Sequence, residues 1–247
     1  MKKINLVYWR ADEKWDNFGD ALSRVIVERL INKDKYELVF NEPNVATNLI
    51  AVGSSLQFAR DGYYIYGTGV RVFNQPKHYT TLNVSAVRGP ITRHYLSDYH
   101  GIPCPDVYGD PALLISRFYM PKNIPHLNDK IGFVPHYSRQ GNHKQCQFYV
   151  INPCDDWNHV MDQIYSCKYI ISSSLHGLIC ADAYCKPNLW LDENIEGGNI
   201  KFCDYFLSQG RQETCITSLD HFNEDLLYRG GNIVNLDALE RAFPFQQ

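Results

Sequence analysis

The chain has 247 residues, of which 45% are hydrophobic and 21% charged, with a formal net charge of −3. This composition is that of a globular protein with one large or two small domains. The slightly acidic balance argues against a broad nucleic-acid-binding surface, and no apolar run approaches the ~20 residues that span a bilayer.

The N-terminus and the cysteines indicate a compartment. The apolar run from Ile4 to Trp9 ends at Arg10 and is shorter than the core of a signal peptide, so it predicts a buried first strand. The eight cysteines never occur in C-x-x-C spacing, which favours reduced thiols in the cytoplasm and no metal site. A zinc site built from scattered cysteines and histidines is the minor alternative. A peripheral association with a membrane stays open.

The first half of the chain alternates short apolar strands with helical patterns. Strands are predicted at INLVYW, YELVF, NLIAVG, YYIYG and VSAVRG, with helices at GDALSRVIVERLIN and PITRHYLSDYH and a short one at SSLQFA. The stretch DVYGDPALLI closes this half. Such alternation predicts a parallel sheet with helices on both faces.

The second half restarts the same rhythm. Segment 118–129 has two prolines and no periodicity, so it is the predicted linker between domains at 1–117 and 130–247. Strands are then predicted at KIGFVPHY, FYVIN, KYIISSS and PNLWLDE, and helices at DDWNHVMDQIYSC, LHGLICADAYC, NIKFCDYFLSQG and LDALERAFPF. The predicted fold class is α/β, with two facing Rossmann-like domains.

Two glycine-containing loops follow strands of the first half. Open parallel sheets bind ligands beyond the carboxyl ends of their strands, where helix N-termini point. Such loops let a ligand approach backbone amides, and small residues with free amides suit a phosphate or carboxylate. The ordinary alternatives are an N-cap by Asp20 in the first loop and a serine N-cap in the second. The candidates are Asn17, Gly19, Asp20, Gly53, Ser54 and Ser55.

An arginine and a histidine lie at two later points of the chain where a strand is followed by a helix. Arg88 ends an apolar strand beside a helix start, where its guanidinium can clamp an anion; a solvated surface arginine is the alternative. His176 lies in the first turn of a helix, where the dipole favours a neutral imidazole that exchanges protons near pH 7. A structural histidine that caps its own loop is the alternative. The neighbouring candidates are Ser173, Ser174, Leu175 and Gly177.

The absence of several known motifs argues against some classes of protein. The sequence has no G-x-S-x-G elbow, no phosphate-binding G-x-x-x-x-G-K-[ST] loop and no full G-x-G-x-x-G. A serine hydrolase and the nucleotide folds that use those loops are therefore disfavoured.

Eight motifs follow one another between residues 17 and 211: NFGDALS, VGSSLQ, YGTGV, VRGPIT, YGDPALLI, FVPHY, SSSLHGLICADAY and KFCDYFLSQGR. Together they resemble the polysaccharide pyruvyl transferase family, especially its exopolysaccharide ketal-pyruvyltransferase branch. The resemblance implies a glycosyltransferase-B-like fold, phosphoenolpyruvate as donor, and a sugar or lipid-linked oligosaccharide as acceptor. Two hydroxyls of the sugar become bridged by pyruvate as a cyclic ketal, and this chemistry demands no metal or organic cofactor.

The resemblance also implies roles for residues. The family's R-G-P-type arginine matches Arg88 and its L-H-G histidine matches His176, the acid expected to protonate the donor's methylene carbon. Asp20, or His176 after it has given up its proton, is the expected base. His136 is the next candidate for the acid.

One position departs from the family pattern. Many members have arginine two residues before the histidine, where this chain has Ser174. One anion contact is therefore missing from the motif. The basic residues that can replace it are Arg60, Arg71, Arg139 and Lys201.

Two other classes of protein remain. A nucleotide-sugar-dependent glycosyltransferase would share the two-domain cleft and would use Asp192 or Glu193 to bind ribose. A non-catalytic carbohydrate-binding protein would account for the 17 tyrosines and 12 phenylalanines. It would not account for an arginine at a strand end together with a histidine at a helix start.

Overall fold

The structure, a computed structural model, describes residues 1–10, 17–74, 77–143, 147–195 and 198–246. Its first parallel sheet contains β1 (Lys2–Leu6), β2 (Tyr36–Phe40), β3 (Asn48–Ile50), β4 (Tyr64–Tyr66) and β5 (Asn83–Ala86). The second contains β6 (Ile131–Val134), β7 (Tyr149–Val150), β8 (Tyr169–Ser172), β9 (Asn188–Leu191) and β10 (Cys215–Ile216). The spatial orders are β2-β1-β3-β4-β5 and β7-β6-β8-β9-β10, so both halves repeat one topology. The predicted pair of parallel α/β units is confirmed.

The helices lie close to their predicted positions, except for the short helix Ile115–Phe118, which was not predicted. They are α1 (Phe18–Leu30), α2 (Pro90–Ser97), α3 (Ile115–Phe118), α4 (Trp157–Ser166), α5 (Leu175–Ala183), α6 (Ile200–Ser208) and α7 (Leu236–Arg241). The short helix predicted at SSLQFA is a 3-10 turn, Leu56–Phe58. Pro90 begins α2, and Gly210, at φ 59°, follows α6. Asp156 occupies the N-cap position of α4, and its side chain makes no capping hydrogen bond.

The main hydrophobic core lies between the two sheets and belongs to both halves. Leu6 and Leu22 from the first half share it with Leu178 and Phe206 from the second. Helix α5 is buried from Leu175 to Asp182, which explains why its sequence lacks an amphipathic pattern. Smaller cores cover the outer face of each sheet. The domain boundaries 1–117 and 130–247 stay a prediction, and this shared core was not anticipated.

The predicted linker is packed against the second half. The backbone N–H of Lys122 donates to the Asp162 carboxylate at 2.8 Å, and Leu127 is 1% exposed. Its non-periodic sequence therefore reflects irregular backbone rather than an absence of contacts.

The C-terminal segment returns to the first sheet. The Tyr66 hydroxyl donates to the carbonyl of Leu239 at 2.9 Å, and the Phe245 ring lies 4.9 Å from the Tyr64 ring. Arg117 pairs with residues of α7. The last helix, although inside the predicted C-terminal domain, thus packs on the N-terminal half.

The shared topology determines where ligands are expected. The strand order changes direction between β1 and β3, and again between β6 and β8. Loops that leave neighbouring strands in opposite directions open a crevice at the carboxyl ends of those strands. The loops after β1, β3, β6 and β8 meet in a single cleft between the two halves.

Candidate active site

The cleft is polar and is formed by both halves of the chain. It contains most of the candidates that the loops supplied, together with aromatic and basic side chains. Its lining residues are Trp9, Asn17, Asp20, Ser54, Ser55, Gln57, Arg71, His136, Tyr137, Ser174, Leu175, His176 and Lys201.

The His176 ring occupies a slot between two glycines of the first half. A Cβ on Gly19 would lie 2.7 Å from the Cβ of His176 and nearer still to its Nδ1 and Cγ. A Cβ on Gly53 would lie 3.3 Å from Cε1, and Gly53 has φ +89°, a backbone conformation that favours glycine. The two glycines make room for the imidazole, whereas their contact with a substrate stays a prediction.

A buried carboxylate faces the far side of the ring. The Nε2 atom of His176 is buried without a hydrogen-bond partner and lies 4.0 Å from Oδ2 of Asp110. Asp110 is fully buried, and its carboxylate accepts the N–H groups of Gly53 at 2.9 Å and Ala112 at 3.0 Å. Sequence reasoning missed Asp110, although the motif YGDPALLI contains it; an Asp-Pro pair reads as an ordinary helix start.

Burial and charge set the protonation of this pair. Burial lowers the pKa of His176 to about 3, and the positive charges of Lys201 and Arg88 add to the shift. Burial raises the pKa of Asp110 to about 6, opposed by its two N–H donors and by Arg88. At pH 7 the imidazole is therefore neutral and the carboxylate ionised. The neutral ring agrees with the sequence-based expectation, but its pKa lies well below neutrality.

Arg88 does not line the cleft. It is fully buried, and its guanidinium donates to the Asp204 carboxylate at 3.0 Å and to the Val70 carbonyl at 2.7 Å. It also donates to the hydroxyl of Ser54, which does line the cleft. Arg88 thus reaches the cleft through Ser54, and its direct contact with a donor stays a prediction. Asp204, at the other end of the pair, also accepts from the Thr92 hydroxyl at 2.6 Å.

Among the residues that the structure describes, the cationic side chains of Arg71 and Lys201 do line the cleft. Lys201 lies in the first turn of α6; burial lowers its pKa to about 8, and repulsion from Arg88 and Arg71 adds to this. Of the four replacements considered for the missing charge, Arg60 and Arg139 lie outside the lining, and Arg60 donates to the carbonyl of Ala59 at 2.9 Å. Arg71 and Lys201 are therefore the basic residues placed to contact an anion.

The first loop is organised by Asn17. Its side-chain oxygen accepts the N–H of Gly19 at 3.2 Å, and its amide donates to the Asp20 carboxylate at 3.0 Å. The N-cap of α1 is Asn17, so the alternative in which Asp20 is the cap is wrong. Asp20 lies in the first turn of the helix and lines the cleft.

The second loop does not offer the free amides that we expected. The N–H of Gly53 donates to Asp110, and the N–H of Ser55 donates to the Thr68 hydroxyl at 3.0 Å. The cleft-lining groups of this loop are the side chains of Ser54 and Ser55.

The serines before α5 support the loop opposite. The Ser173 hydroxyl accepts the backbone N–H of His136 at 2.9 Å and so holds His136 at the cleft. Burial lowers the pKa of His136 to about 4, and Lys201, Arg71 and Arg139 add to the shift. Ser174 and Leu175 line the cleft directly.

Gly177 has a packing role. A Cβ there would lie 3.0 Å from the Cβ of Ser172 and 3.0 Å from the Cβ of Val134, and closest of all to the Ser172 hydroxyl. Gly177 therefore allows α5 to approach β6 and β8, which holds the first turn of the helix, including His176, at the ends of these strands.

An aromatic pair spans the cleft. Trp9, from the loop after β1, and Tyr137, from the loop after β6, have ring centroids 5.1 Å apart. The ring of His136 lies 4.6 Å from that of Tyr137. Sequence reasoning gave the aromatic residues only a general role, because tryptophan and tyrosine in a strand-end loop resemble core residues.

The acidic residues of the glycosyltransferase alternative lie elsewhere. Neither Asp192 nor Glu193 belongs to the cleft lining, and Asp192 accepts the Asn194 N–H at 2.9 Å. Across the part of the chain that the structure describes, no group of three or more His, Cys, Asp or Glu side chains is arranged to hold a metal ion. No described helix combines the length and apolar character needed to cross a membrane.

Comparison with known proteins decides the family. A family model described as polysaccharide pyruvyl transferase matches residues 17–194, more than half of the chain. The chain belongs to the polysaccharide pyruvyl transferase family. The region matched by the pyruvyl transferase model includes Gly19, Gly53, Asp110 and His176, whereas Lys201 lies beyond it. The exopolysaccharide branch stays a prediction.

Two further similarities are weaker. An uncharacterized protein of Acanthamoeba polyphaga mimivirus is 27% identical over 216 residues, which cover 83% of this chain and 74% of that protein. E. coli ADP-heptose LPS heptosyltransferase II aligns with a TM-score of 0.28 and 13% identity, over 98% of this chain and 99% of that chain. At that TM-score the alignment adds nothing to the architecture seen in the two sheets.

Proposed function

We propose that the protein transfers pyruvate from phosphoenolpyruvate onto two hydroxyls of a sugar, forming a cyclic ketal in the biosynthesis of a surface polysaccharide or exopolysaccharide. Membership of the pyruvyl transferase family supports a transferase that acts in polysaccharide synthesis. The observation that carries the proposal is a buried imidazole, His176, in one cleft with Arg71 and Lys201. The reaction needs an anion site and a proton donor side by side.

The basic side chains suit the donor. Phosphoenolpyruvate presents a carboxylate and a phosphate on three carbons, so it needs cationic groups fixed close together. Arg71 can contact an anion with two N–H groups, and Lys201 adds a point charge. Ser54, held by Arg88, supplies a hydroxyl beside them.

Donor binding changes the state of His176. The positive charges of Lys201 and Arg88 help to hold the pKa of His176 low. Burial is the larger cause of the shift; an anion bound beside Lys201 offsets the repulsive part, raises that pKa and favours uptake of a proton by the ring as the donor arrives. His176 is then an acid at the moment when the methylene carbon needs one.

The steps balance without a cofactor. The double-bond electrons form a C–H bond between the methylene carbon and the proton of His176. As a result C2 becomes electron-deficient. One sugar hydroxyl bonds to C2 and gives its proton to Asp20 or to the neutral His176. The bond from C2 to the phosphate oxygen breaks and phosphate leaves. The second hydroxyl then bonds to C2 to close the ketal and gives its proton to the departing phosphate.

The aromatic pair suits the acceptor. The face of a pyranose ring carries C–H groups that pack against aromatic rings, and ligand sites combine such surfaces with a few polar groups. Trp9 and Tyr137 lie in the same cleft as the donor-binding groups. A sugar or lipid-linked oligosaccharide stacked there presents its hydroxyls toward His176. We place the reaction in the cytoplasm, with a peripheral membrane position when the acceptor is lipid-linked; the free state of seven described cysteines is consistent with a reducing compartment.

The test is a product assay. The protein is incubated with phosphoenolpyruvate and a panel of glycosides in deuterated water, and products are read by mass spectrometry. We expect a glycoside that gains one pyruvate less one water, with deuterium in the ketal methyl group. His176→Gln serves as the control. Turnover of UDP-sugars instead of phosphoenolpyruvate would favour the glycosyltransferase alternative and refute the proposal.

A further inference from the structure

We infer that Asp110 is a positioning residue that fixes the tautomer of His176: its carboxylate holds the proton on Nε2, so that Nδ1 is the nitrogen that exchanges protons with reactants. The proton-transfer role of His176 rests on the proposed function. The tautomer itself is a property of the protein alone and can be measured without any substrate.

The environment of Nε2 lacks a hydrogen-bond partner but contains a carboxylate. This atom is buried and has no hydrogen-bond partner, and the acceptor that faces it is Oδ2 of Asp110 at 4.0 Å. Buried polar groups in proteins nearly always have a partner. A movement of the ring by about 1 Å would bring the two atoms to hydrogen-bond distance. Catalytic hydrogen bonds are commonly long without ligand and tighten in the complex.

The Asp110 carboxylate can act only as a hydrogen-bond acceptor when it is ionised. Oδ1 of Asp110 accepts from Ala112, and Oδ2 accepts from Gly53 and faces Nε2. A lone pair on Nε2 would point at this negative charge and be repelled, whereas an N–H there is attracted. The tautomer with hydrogen on Nε2 is therefore the favoured one.

The opposite side of the imidazole ring carries Nδ1. This atom lies against the backbone of Gly19, on the side of the ring away from the contact between Nε2 and Asp110. The charges that face the ring are Asp110 on the Nε2 side and the cations Lys201 and Arg88, with Asp20 close to Gly53 at the cleft. Burial, together with the cations, keeps the ring neutral, and Asp110 determines which nitrogen carries the single proton.

The experiment reads the tautomer by NMR. Protein labelled with ¹⁵N in histidine is examined by long-range ¹H–¹⁵N correlation at pH 7, and His176→Gln identifies the signals of His176. We expect Nε2 protonated and Nδ1 unprotonated in the unmodified protein. The opposite assignment overturns the inference, and this outcome needs no Asp110 variant to fold.

A variant tests the cause. In Asp110→Asn, Oδ1 can still accept one N–H group while the amide donates toward Nε2, so we expect the proton to shift to Nδ1. The matched control is Asp182→Asn, a second buried aspartate on the same helix as His176, which is bonded to Asn188 and Arg211 instead. It should leave the tautomer of His176 unchanged. An unchanged tautomer in Asp110→Asn, or an equal shift in Asp182→Asn, refutes a positioning role.

Kinetics separate this inference from the proposed function. Where a glycoside is pyruvylated, Asp110→Asn should lower kcat by about 10²–10⁴-fold with little change in KM for phosphoenolpyruvate, because a wrong tautomer blocks proton transfer but not binding. A rise in KM at constant kcat would show that Asp110 acts on donor binding and would overturn the inference. Absence of pyruvylation with the expected tautomer present would refute the proposed function and leave the inference standing.

Discussion

Replacing Gly19 by alanine tests the slot that holds His176. The new Cβ would lie 2.7 Å from the Cβ of His176, about 1 Å inside the optimal carbon–carbon separation of 3.5–4.0 Å, and still closer to Nδ1. Overpacking of this kind costs about 1–3 kcal/mol. Alanine in a helix is otherwise favoured over glycine by about 1 kcal/mol, so a site with room would be stabilised. The sign of the change therefore distinguishes the two cases.

The assay is urea unfolding of a double-mutant cycle. We expect Gly19→Ala to lower the free energy of unfolding by about 1–3 kcal/mol. In a His176→Gly background the same change should instead raise this free energy by up to about 1 kcal/mol, because the three nearest atoms all belong to His176. Gly141→Ala is the matched control, since a Cβ at Gly141 meets nothing within 4 Å. Pyruvyl transfer should fall by at least about 10²-fold, as the imidazole leaves its slot. Equal stability losses in both backgrounds would refute the reasoning.

Three further perturbations test the charges and rings of the cleft. The dissociation constant for phosphoenolpyruvate, measured by calorimetry, should rise as the pH passes about 8, where Lys201 loses its charge, and Lys201→Arg should remove that rise; a pH-independent affinity in the unmodified protein would contradict this. Trp9→Ala should raise KM for the acceptor while KM for phosphoenolpyruvate stays constant, and the reverse pattern would place the acceptor elsewhere. Asp204→Asn leaves Arg88 buried without its charge partner and should lower the free energy of unfolding by about 3–5 kcal/mol; a loss below about 1 kcal/mol, the level typical of exposed pairs, would show that the pair is not isolated from water.

The sequence predicted the two parallel α/β units because strand and helix patterns alternate regularly in it, although β10 was not predicted. The turn residues reinforced the pattern: Pro90 begins α2 and Gly210 follows α6. The switch-point rule then located the cleft, since it depends only on the order of strands. His176, Asp20 and Ser54 were found in this way.

The partners of these residues could not be predicted because they are distant in sequence. Asp204 binds Arg88 across 116 positions, and the carboxylate of Asp110 bonds to the amide of Gly53 across 57. A local pattern shows an arginine at a strand end but not the aspartate that removes it from solvent. For the same reason the glycines at 19 and 53 suggested contact with a ligand, whereas in the structure they make room for an imidazole from the other half.

The return of α7 to the first sheet has a mechanical consequence. The backbone passes between the halves twice, once through 118–129 and again between β10 and α7. Two halves joined by one chain crossing can rotate relative to each other in any direction. Two crossings favour rotation about the line that joins the crossings. The two crossings, together with the hydrophobic core that both halves share, therefore restrict how the cleft can widen. A chain ending at residue 235 would lose the second of these two crossings, and the Tyr66 hydroxyl would lose its acceptor at Leu239.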